Sequence, residues 1–346
     1  MCLHLIACLL AVQLAASTNS PAGTQEAGTA AQIQWSTRPP DLPHMTLADL
    51  KTELTSLEDT KGNRNPDLVP VLWAIARAYQ EKGAYVTGLP FAQRALNIAR
   101  QVHGEYAPEA VLSQDLVGEL DLLSGNTEAA IETEQSAQSI VEKYLGTGAP
   151  IQAVLLLHLG TAYLEAGRLE DAGKALNKAS HALASAFGPE TLEATSAQVA
   201  LGELYLEKGR YSKAEKKLES ALAVRLITLS ELLDDADEPE VRLNIGRVQV
   251  PLGALYTVLG RYDEANHCLL GALQAYEARL GKSHPALEEV LVNLAALAAV
   301  EGDRAAADGY RKRAEKIHEE YLGISHLAGV PLPEPLKPQS SRSAVR

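Results

Sequence analysis

The sequence predicts an all-α fold, a solenoid of antiparallel helical hairpins, and three recurring features lead to this fold class. The first is a glycine that ends the first helix of each hairpin. It stands at Gly83, Gly125, Gly167, Gly209, Gly260 and Gly302, with spacings of 42, 42, 42, 51 and 42 residues. A fixed period of this length is typical of solenoids. The single longer interval indicates an insertion of nine residues.

The second feature is a pair of positions that precede each of these turn glycines. A small residue stands seven positions earlier, where it allows two helices to approach closely, and a tyrosine stands four positions earlier in most copies, where its ring fills the space between hairpins. The small residues are Ala76, Gly118, Gly160, Gly202, Gly253 and Ala295, and the tyrosines are Tyr79, Tyr163, Tyr205 and Tyr256. The second hairpin departs from this pattern, with Asp121 in place of the tyrosine.

The third feature is a pair of alanine positions that follow each turn glycine. Alanine recurs five residues after the glycine in five copies and twelve residues after it in all six, for example at Ala172 and Ala179. These small side chains mark where the second helix of a hairpin crosses the first. Between them the second helix carries a large apolar residue, which Glu134 replaces in the second hairpin.

The order and spacing of these residues resemble the tetratricopeptide repeat, although the period is stretched. The second helix continues to a further glycine at Gly104, Gly146, Gly188, Gly281 and Gly323, and Pro108, Pro150 and Pro285 follow four residues after three of these glycines. The segment from Leu280 to Pro285 resembles the repeat junction of kinesin light chains. The resemblance implies a right-handed superhelical solenoid whose first helices line a concave groove that contacts peptides.

Domain organisation follows from the same register. Residues 1–17 form an uncharged apolar leader, residues 18–45 read as a flexible linker, and residues 324–346 are rich in proline and read as a disordered tail. The solenoid spans 46–323, as a half-repeat at Thr46–Lys61 and six full hairpins. The insertion lies near 230–240, where six of eleven residues are acidic.

The leader resembles a secretory signal peptide with cleavage near Ser17, although it has no Lys or Arg at its start. We therefore expect a secreted or periplasmic protein. The alternatives are a cytoplasmic protein with an apolar helix packed on the solenoid, a mis-chosen start codon, or a lipoprotein processed at Cys8. The leader is too short to span a membrane as a stable anchor.

Composition and motifs exclude several classes of function. The net charge of −13 disfavours nucleic acid as a partner. No phosphate-binding loop, zinc-protease motif or nucleophile motif is present, so we predict no catalytic residue, no cofactor and no metal. His158, His181 and His267 lie on different helices and share no metal-ligand spacing. Cys268 lies among leucines and is predicted to be a buried, inert thiol.

The remaining candidate is the groove, and the sequence predicts a non-catalytic scaffold that binds a protein or peptide there. The groove-facing candidates are Trp73, Arg77, Asp115, Glu119, His158, Thr161, Glu203, Arg247, Glu289 and Asn293. The excess of acidic residues suggests a basic partner segment. The alternatives are an exported accessory or catalytic protein with an unrecognised site, and a scaffold that associates with itself into a homo-oligomer.

Overall fold

The computed structural model describes residues 45–145, 150–231 and 238–325. This part of the chain contains 13 α-helices and a short π-helical segment, Val141–Leu145, and no β-strand occurs within it. The helices are α1 Leu47–Lys61, α2 Leu68–Glu81, α3 Tyr85–His103, α4 Pro108–Leu123, α5 Thr127–Ile140, α6 Pro150–Glu165, α7 Leu169–Phe187, α8 Leu192–Glu207, α9 Tyr211–Glu231, α10 Glu238–Leu259, α11 Tyr262–Leu280, α12 Leu287–Glu301 and α13 Arg304–Ser325. The all-α prediction is confirmed.

Several predicted segments lie outside the described residues. They are the leader 1–17, the linker 18–45 apart from Met45, residues 232–237 of the insertion, and the chain after Ser325. The expectations about export, the linker and the tail therefore stay predictions. Among the described helices, none combines the length and the apolar character that a membrane crossing requires.

Helices α2 to α13 form six successive hairpins, and each helix packs mainly against its neighbours in sequence. The six turn glycines from Gly83 to Gly302 all have positive φ angles, between 63° and 88°. An L-amino acid with a side chain adopts this left-handed conformation at a steric cost that glycine does not bear. The glycine period therefore reports the hairpin turns directly.

The small residues on the first helices lie where the two helices of a hairpin cross. A Cβ atom on Gly202 would lie 2.6 Å from Leu218 Cδ2, and one on Gly253 would lie 2.5 Å from Leu269 Cγ. In the second hairpin the atom above Gly118 is a carboxylate oxygen of Glu134 instead of a leucine methyl group. The crossing is thus equally close but polar, and the carboxylate is buried within the solenoid.

Helix α1 forms the half-repeat that precedes the first hairpin. Thr46 and Asp49 form a capping box: the Asp49 amide donates to Thr46 Oγ1 at 3.3 Å, and the Thr46 amide donates to Asp49 Oδ2 at 3.0 Å. Such reciprocal bonds satisfy donors that the first turn of a helix leaves free. Leu50 and Leu54 are buried against the core of the first two hairpins, so α1 covers that end of the core.

The second helices end as expected at Gly104, Gly188 and Gly281, each with a positive φ. The expectation is wrong at Gly323, because α13 continues through it to Ser325. A single glycine lowers helix stability by only about 1 kcal/mol relative to alanine, which does not end a helix by itself. At the insertion, part of the added chain extends α10 to 22 residues, compared with 16 in α8.

The first and last hairpins of the solenoid contact each other. The Tyr85 ring lies edge-on to His284 and to Tyr321, with centroid distances of 6.5 Å and 5.8 Å. A Cβ atom on Gly83 would collide with the Pro285 ring. Tyr321 is buried in the same hydrophobic core as α2 and α3. Contacts between distant repeats are not part of a simple solenoid, in which each repeat touches only its neighbours, so the superhelix closes upon itself here.

Candidate functional site on the first helices

The predicted groove residues are mostly buried within the protein. Seven of the ten are less than a tenth exposed: Asp115, Glu119, His158, Thr161, Glu203, Arg247 and Asn293. Trp73, Arg77 and Glu289 are half-buried. The structure therefore brings many polar groups into the interior of the superhelix, where each one requires a partner.

In the first hairpin, Trp73 and Arg77 lie one helical turn apart on α2. The Arg77 guanidinium stacks over the Trp73 ring, with Cζ 4.5 Å from the ring centroid. The same guanidinium forms a salt bridge with Glu119 on α4 and donates to Gln80 Oε1 at 2.8 Å. These contacts tie the first helices of two neighbouring hairpins together, since Arg77 and Glu119 occupy the same position in consecutive repeats.

His158 on α6 connects the second and third hairpins. Its Nδ1 lies 2.6 Å from Asp115 Oδ1, its Nε2 lies 3.3 Å from Glu119 Oε1, and its Nδ1 is 4.0 Å from Glu134 Oε1. Arg77, Asp115, Glu119, Glu134 and His158 together form what we call the buried charged cluster. Neither carboxylate oxygen of Glu134 has a hydrogen-bond partner.

The electrostatics of this cluster follow from its burial. Burial, together with the charges of Asp115 and Glu119, raises the pKa of Glu134 well above its ordinary value. Burial also raises the pKa of Glu119, although Arg77 opposes this effect. For His158, burial disfavours the protonated form, but the carboxylates of Asp115 and Glu119 outweigh it and raise the pKa.

The C-terminal hairpins hold a second network of polar residues. Arg247 Nη1 donates to Asn244 Oδ1 at 2.8 Å and lies 3.9 Å from Glu240 Oε1. Arg225, only 1% exposed, comes from the second helix α9. Its guanidinium donates to the Asn244 carbonyl, and its Nε donates to Thr195 Oγ1 at 3.1 Å. This arginine links three successive helices.

Two further predicted groove residues bond to their own helix. Thr161 Oγ1 donates to the Leu157 carbonyl at 2.9 Å, and Asn293 Nδ2 donates to the Glu289 carbonyl at 3.0 Å. Burial raises the pKa of Glu289 to about 7. The structure thus brings Arg77, Asp115, Glu119 and His158 into one cluster. Arg247 belongs to the second network, Glu203 is buried on α8, and Glu289 is half-buried on α12.

Two functional candidates were missed by sequence reasoning. Glu134 is unusual for its position in the repeat, but its contact with His158 joins helices of different hairpins, and no sequence spacing identifies that contact. Arg225 lies within the regular second helix α9, and its partners come from the neighbouring helices α8 and α10. One sequence feature does indicate a polar interior: a polar residue, such as Glu134, at a position of the repeat that is otherwise apolar.

Two other predictions concern Cys268 and the acidic insertion. Cys268 is a buried free thiol, as predicted. Burial raises its pKa to about 11, which disfavours the reactive thiolate. Of the acidic residues near the insertion, Asp234, Asp235 and Asp237 lie outside the described residues. Glu240 bonds to Arg279, whose Nε donates to Glu240 Oε2 at 2.9 Å.

Comparison with known families identifies the repeat. The tetratricopeptide repeat family matches residues 67–143, 151–226 and 252–286, which together make up more than half of the chain. The chain is also 24% identical over 255 residues to Protein KINESIN LIGHT CHAIN-RELATED 1 of Arabidopsis thaliana. That match covers 73% of this chain and only 40% of the plant protein.

Two solved structures share the fold. A Rap protein complexed with Competence and Sporulation Factor aligns with a TM-score of 0.61 at 16% identity, covering 80% of this chain and 70% of that one. The Rap conjugation gene regulator of plasmid pLS20, in complex with the Phr* peptide, aligns with a TM-score of 0.58 at 16% identity, covering 82% and 71%. The chain is thus similar to kinesin light chain-related proteins over part of their length. The family matches and the six glycine-ended hairpins agree: this chain belongs to the tetratricopeptide repeat family.

Proposed function

We propose that this protein-interaction repeat chain is a non-catalytic scaffold that holds an extended peptide along its first helices. The observation that carries the proposal is a set of buried polar atoms without a hydrogen-bond partner, spread over four first helices. They are Gln80 Nε2 on α2, Gln198 Oε1 on α8, Asn244 Nδ2 on α10 and Glu288 Oε1 on α12. Buried polar groups without partners cost free energy, so each needs an explanation.

These atoms are buried in this conformation, and an extended peptide would supply the missing partners once neighbouring first helices separate to admit it. Its backbone offers an N–H and a C=O at every residue and rises about 3.3 Å per residue, whereas packed helices lie about 8–10 Å apart. A peptide crossing the first helices would therefore meet a new helix about every three residues. The pLS20 Rap regulator, a relative in fold, is a solved complex with a peptide, which supports a peptide as the kind of partner.

A catalytic function, the main alternative, draws on the buried charged cluster, where a histidine meets three carboxylates. The same burial argues against it. The side chains of Asp115, Glu119, Glu134 and His158 are each at most 6% exposed. His158 belongs to a different hairpin from the three carboxylates, so an opening wide enough to admit a substrate would separate the histidine from them. The scaffold is the function that the geometry supports better.

Site-specific photo-crosslinking tests the peptide proposal. A photoreactive amino acid replaces Trp73, which is half-buried on α2, or Lys174, whose side chain is 75% exposed on the second helix α7. We expect a crosslinked partner from the native host with the probe at position 73 and not at position 174. Crosslinking from position 174 alone, or equally from both positions, would contradict binding along the first helices.

We further propose that the protein is exported, on the basis of the apolar leader in residues 1–17. The intact mass of the protein isolated from its native host tests this directly. A mature chain that begins near Ser17 is expected. A cytoplasmic protein that retains Met1 would overturn the proposal.

A further inference from the structure

Glu134 is an exception among the residues at the helix crossings. Its counterparts in the next three hairpins are Leu176, Leu218 and Leu269, each packed over the small residue of its own first helix. Glu134 is 1% exposed, and both of its carboxylate oxygens lack a hydrogen-bond partner. A buried carboxylate in place of a leucine destabilises the fold unless something compensates its charge.

The surrounding charges do not compensate it. The buried charged cluster contains three carboxylates, from Asp115, Glu119 and Glu134, and one guanidinium, from Arg77. With all three carboxylates ionised and His158 neutral, the protonation states in which these groups bind a metal ion, the cluster carries two uncompensated negative charges. Unpaired buried charge is strongly destabilising. A bound divalent cation would bring the sum to zero.

The positions of the side chains fit such a cation. One ligand atom each from Asp115, Glu134 and His158 lie within 4.8 Å of one another, and all three side chains are buried. The two distances that involve His158 Nδ1 are 2.6 Å to Asp115 and 4.0 Å to Glu134. Ligands at about 2.0–2.2 Å from a tetrahedral ion lie about 3.4 Å apart. Movements of less than about 1 Å bring the set to this geometry.

We propose that Asp115, Glu134 and His158 bind a divalent transition-metal ion of the Zn²⁺ class inside the solenoid. One imidazole nitrogen and two carboxylate oxygens are a donor set that such ions accept. Three protein ligands leave one tetrahedral position for a water molecule.

The neighbouring residues supply the support that metal-binding histidines usually have. With Nδ1 on the ion, Nε2 would carry the proton and lies 3.3 Å from Glu119 Oε1. Neither atom has a hydrogen-bond partner in this structure, and a small rotation of the ring would pair them. Glu119 is in turn held by Arg77. Carboxylates that accept from the second nitrogen of a histidine ligand fix its tautomer and ring orientation. The ion would thus join the second and third hairpins, because Asp115 and Glu134 belong to one and His158 to the other.

Protonation of Glu134 and His158 is the competing way to balance the charge. It explains the contact between His158 and Asp115, but it gives a protonated Glu134 no hydrogen-bond acceptor, because neither of its oxygens has a partner. The two explanations differ in a measurable property. Only the metal proposal predicts a bound ion whose binding depends on Glu134.

The experiment measures zinc binding by the full chain without an affinity tag. Protein treated with a chelator is dialysed against ZnCl₂, and its metal content is determined by mass spectrometry. Melting is followed with and without ZnCl₂. We expect the wild type to gain one Zn²⁺ per chain that Glu134→Leu lacks, and to melt at a temperature higher by roughly 3 °C or more at saturating metal.

The variants are chosen to keep the fold. Glu134→Leu restores the residue found at the equivalent crossings, and Glu134→Gln keeps the shape while removing the charge. Glu132→Gln is the control, because Glu132 is exposed on the same helix and its loss should leave zinc binding unchanged. Equal zinc content in the wild type and both Glu134 variants would overturn the proposal. So would a wild type that binds no zinc, in which case protons balance the cluster. Neither result bears on the peptide proposal, which is tested without added metal.

Discussion

The Tyr321 hydroxyl donates a hydrogen bond of 3.1 Å to the backbone carbonyl of Leu123, 198 residues earlier in the chain. This bond joins the last helix of the solenoid, α13, to the end of α4. It lies beside the ring contact between Tyr321 and Tyr85. Together these contacts hold the two ends of the superhelix against each other.

Removal of this hydroxyl tests how much the closure contributes to stability. We expect Tyr321→Phe to lower the free energy of unfolding by about 1 kcal/mol, because the Leu123 carbonyl loses a buried donor. Tyr262→Phe is the control, since Tyr262 is 37% exposed. The measurement is urea unfolding followed by circular dichroism. Equal effects of the two substitutions would show that the closure bond contributes nothing to stability.

The close helix crossings predict opposite effects of alanine at two glycines. Gly202→Ala places a methyl group 2.6 Å from Leu218 Cδ2, and we expect this overpacking to cost about 1–3 kcal/mol. Gly309 lies in α13, and a Cβ atom there would meet nothing within 4 Å. Gly309→Ala should stabilise the protein by about 0.5–1 kcal/mol, because alanine is the better helix former. Thermal melting of both variants distinguishes them. A melting temperature that Gly202→Ala leaves unchanged would contradict the assigned crossing.

His284 predicts a loss of stability in acid. Burial lowers its pKa to about 4, and Arg247 and Arg279 act in the same direction, while a contact with the Glu81 backbone opposes them. The unfolded chain has a pKa of about 6.5 at this residue, so between the two values the unfolded state binds more protons. The stability of the fold with His284 neutral is therefore fully present above about pH 6.5 and is lost as the pH falls toward about 4.

The free energy of unfolding falls by at most about 3 kcal/mol through His284 as the pH is lowered. The measurement is the free energy of unfolding between pH 4 and pH 8, for the wild type and for His284→Gln. Carboxylates with raised pKa values, such as Glu289, contribute with the opposite sign and are common to both proteins. The difference between the two curves therefore isolates His284. Parallel curves would rule out a contribution from this histidine.

The acidic insertion leads to a prediction about association rate. Glu231, Asp234, Asp235, Asp237 and Glu238 lie near one another in sequence, and neutralising them to Asn or Gln should slow association with a basic partner segment while the melting temperature stays nearly constant. Glu240 is left unchanged, because it bonds to Arg279 on α11. The association rate is measured with the partner that photo-crosslinking identifies, at low salt and at about 0.5 M salt, where the Debye length is several-fold shorter. A rate insensitive both to salt and to the substitutions would show that the insertion is only a surface loop.

The sequence by itself determined the repeat, because each position of the hairpin has a local physical requirement. A left-handed turn requires glycine at Gly83 and its five counterparts, and a close crossing requires a small residue such as Gly202. These requirements recur every 42 residues and need no knowledge of the neighbouring hairpins. The fold class and the order of the helices therefore followed from the period.

The tertiary structure alone decided how the interior of the superhelix is filled. The curvature of a solenoid is the sum of small rotations between repeats, and the sequence does not specify that sum. The contact of Tyr321 with Leu123 and the meeting of His158 with Glu134 both depend on it. Residues predicted to face an open groove, such as Asp115, instead lie buried against charges from other hairpins. Their partners come from different repeats, and no local spacing records which repeats meet.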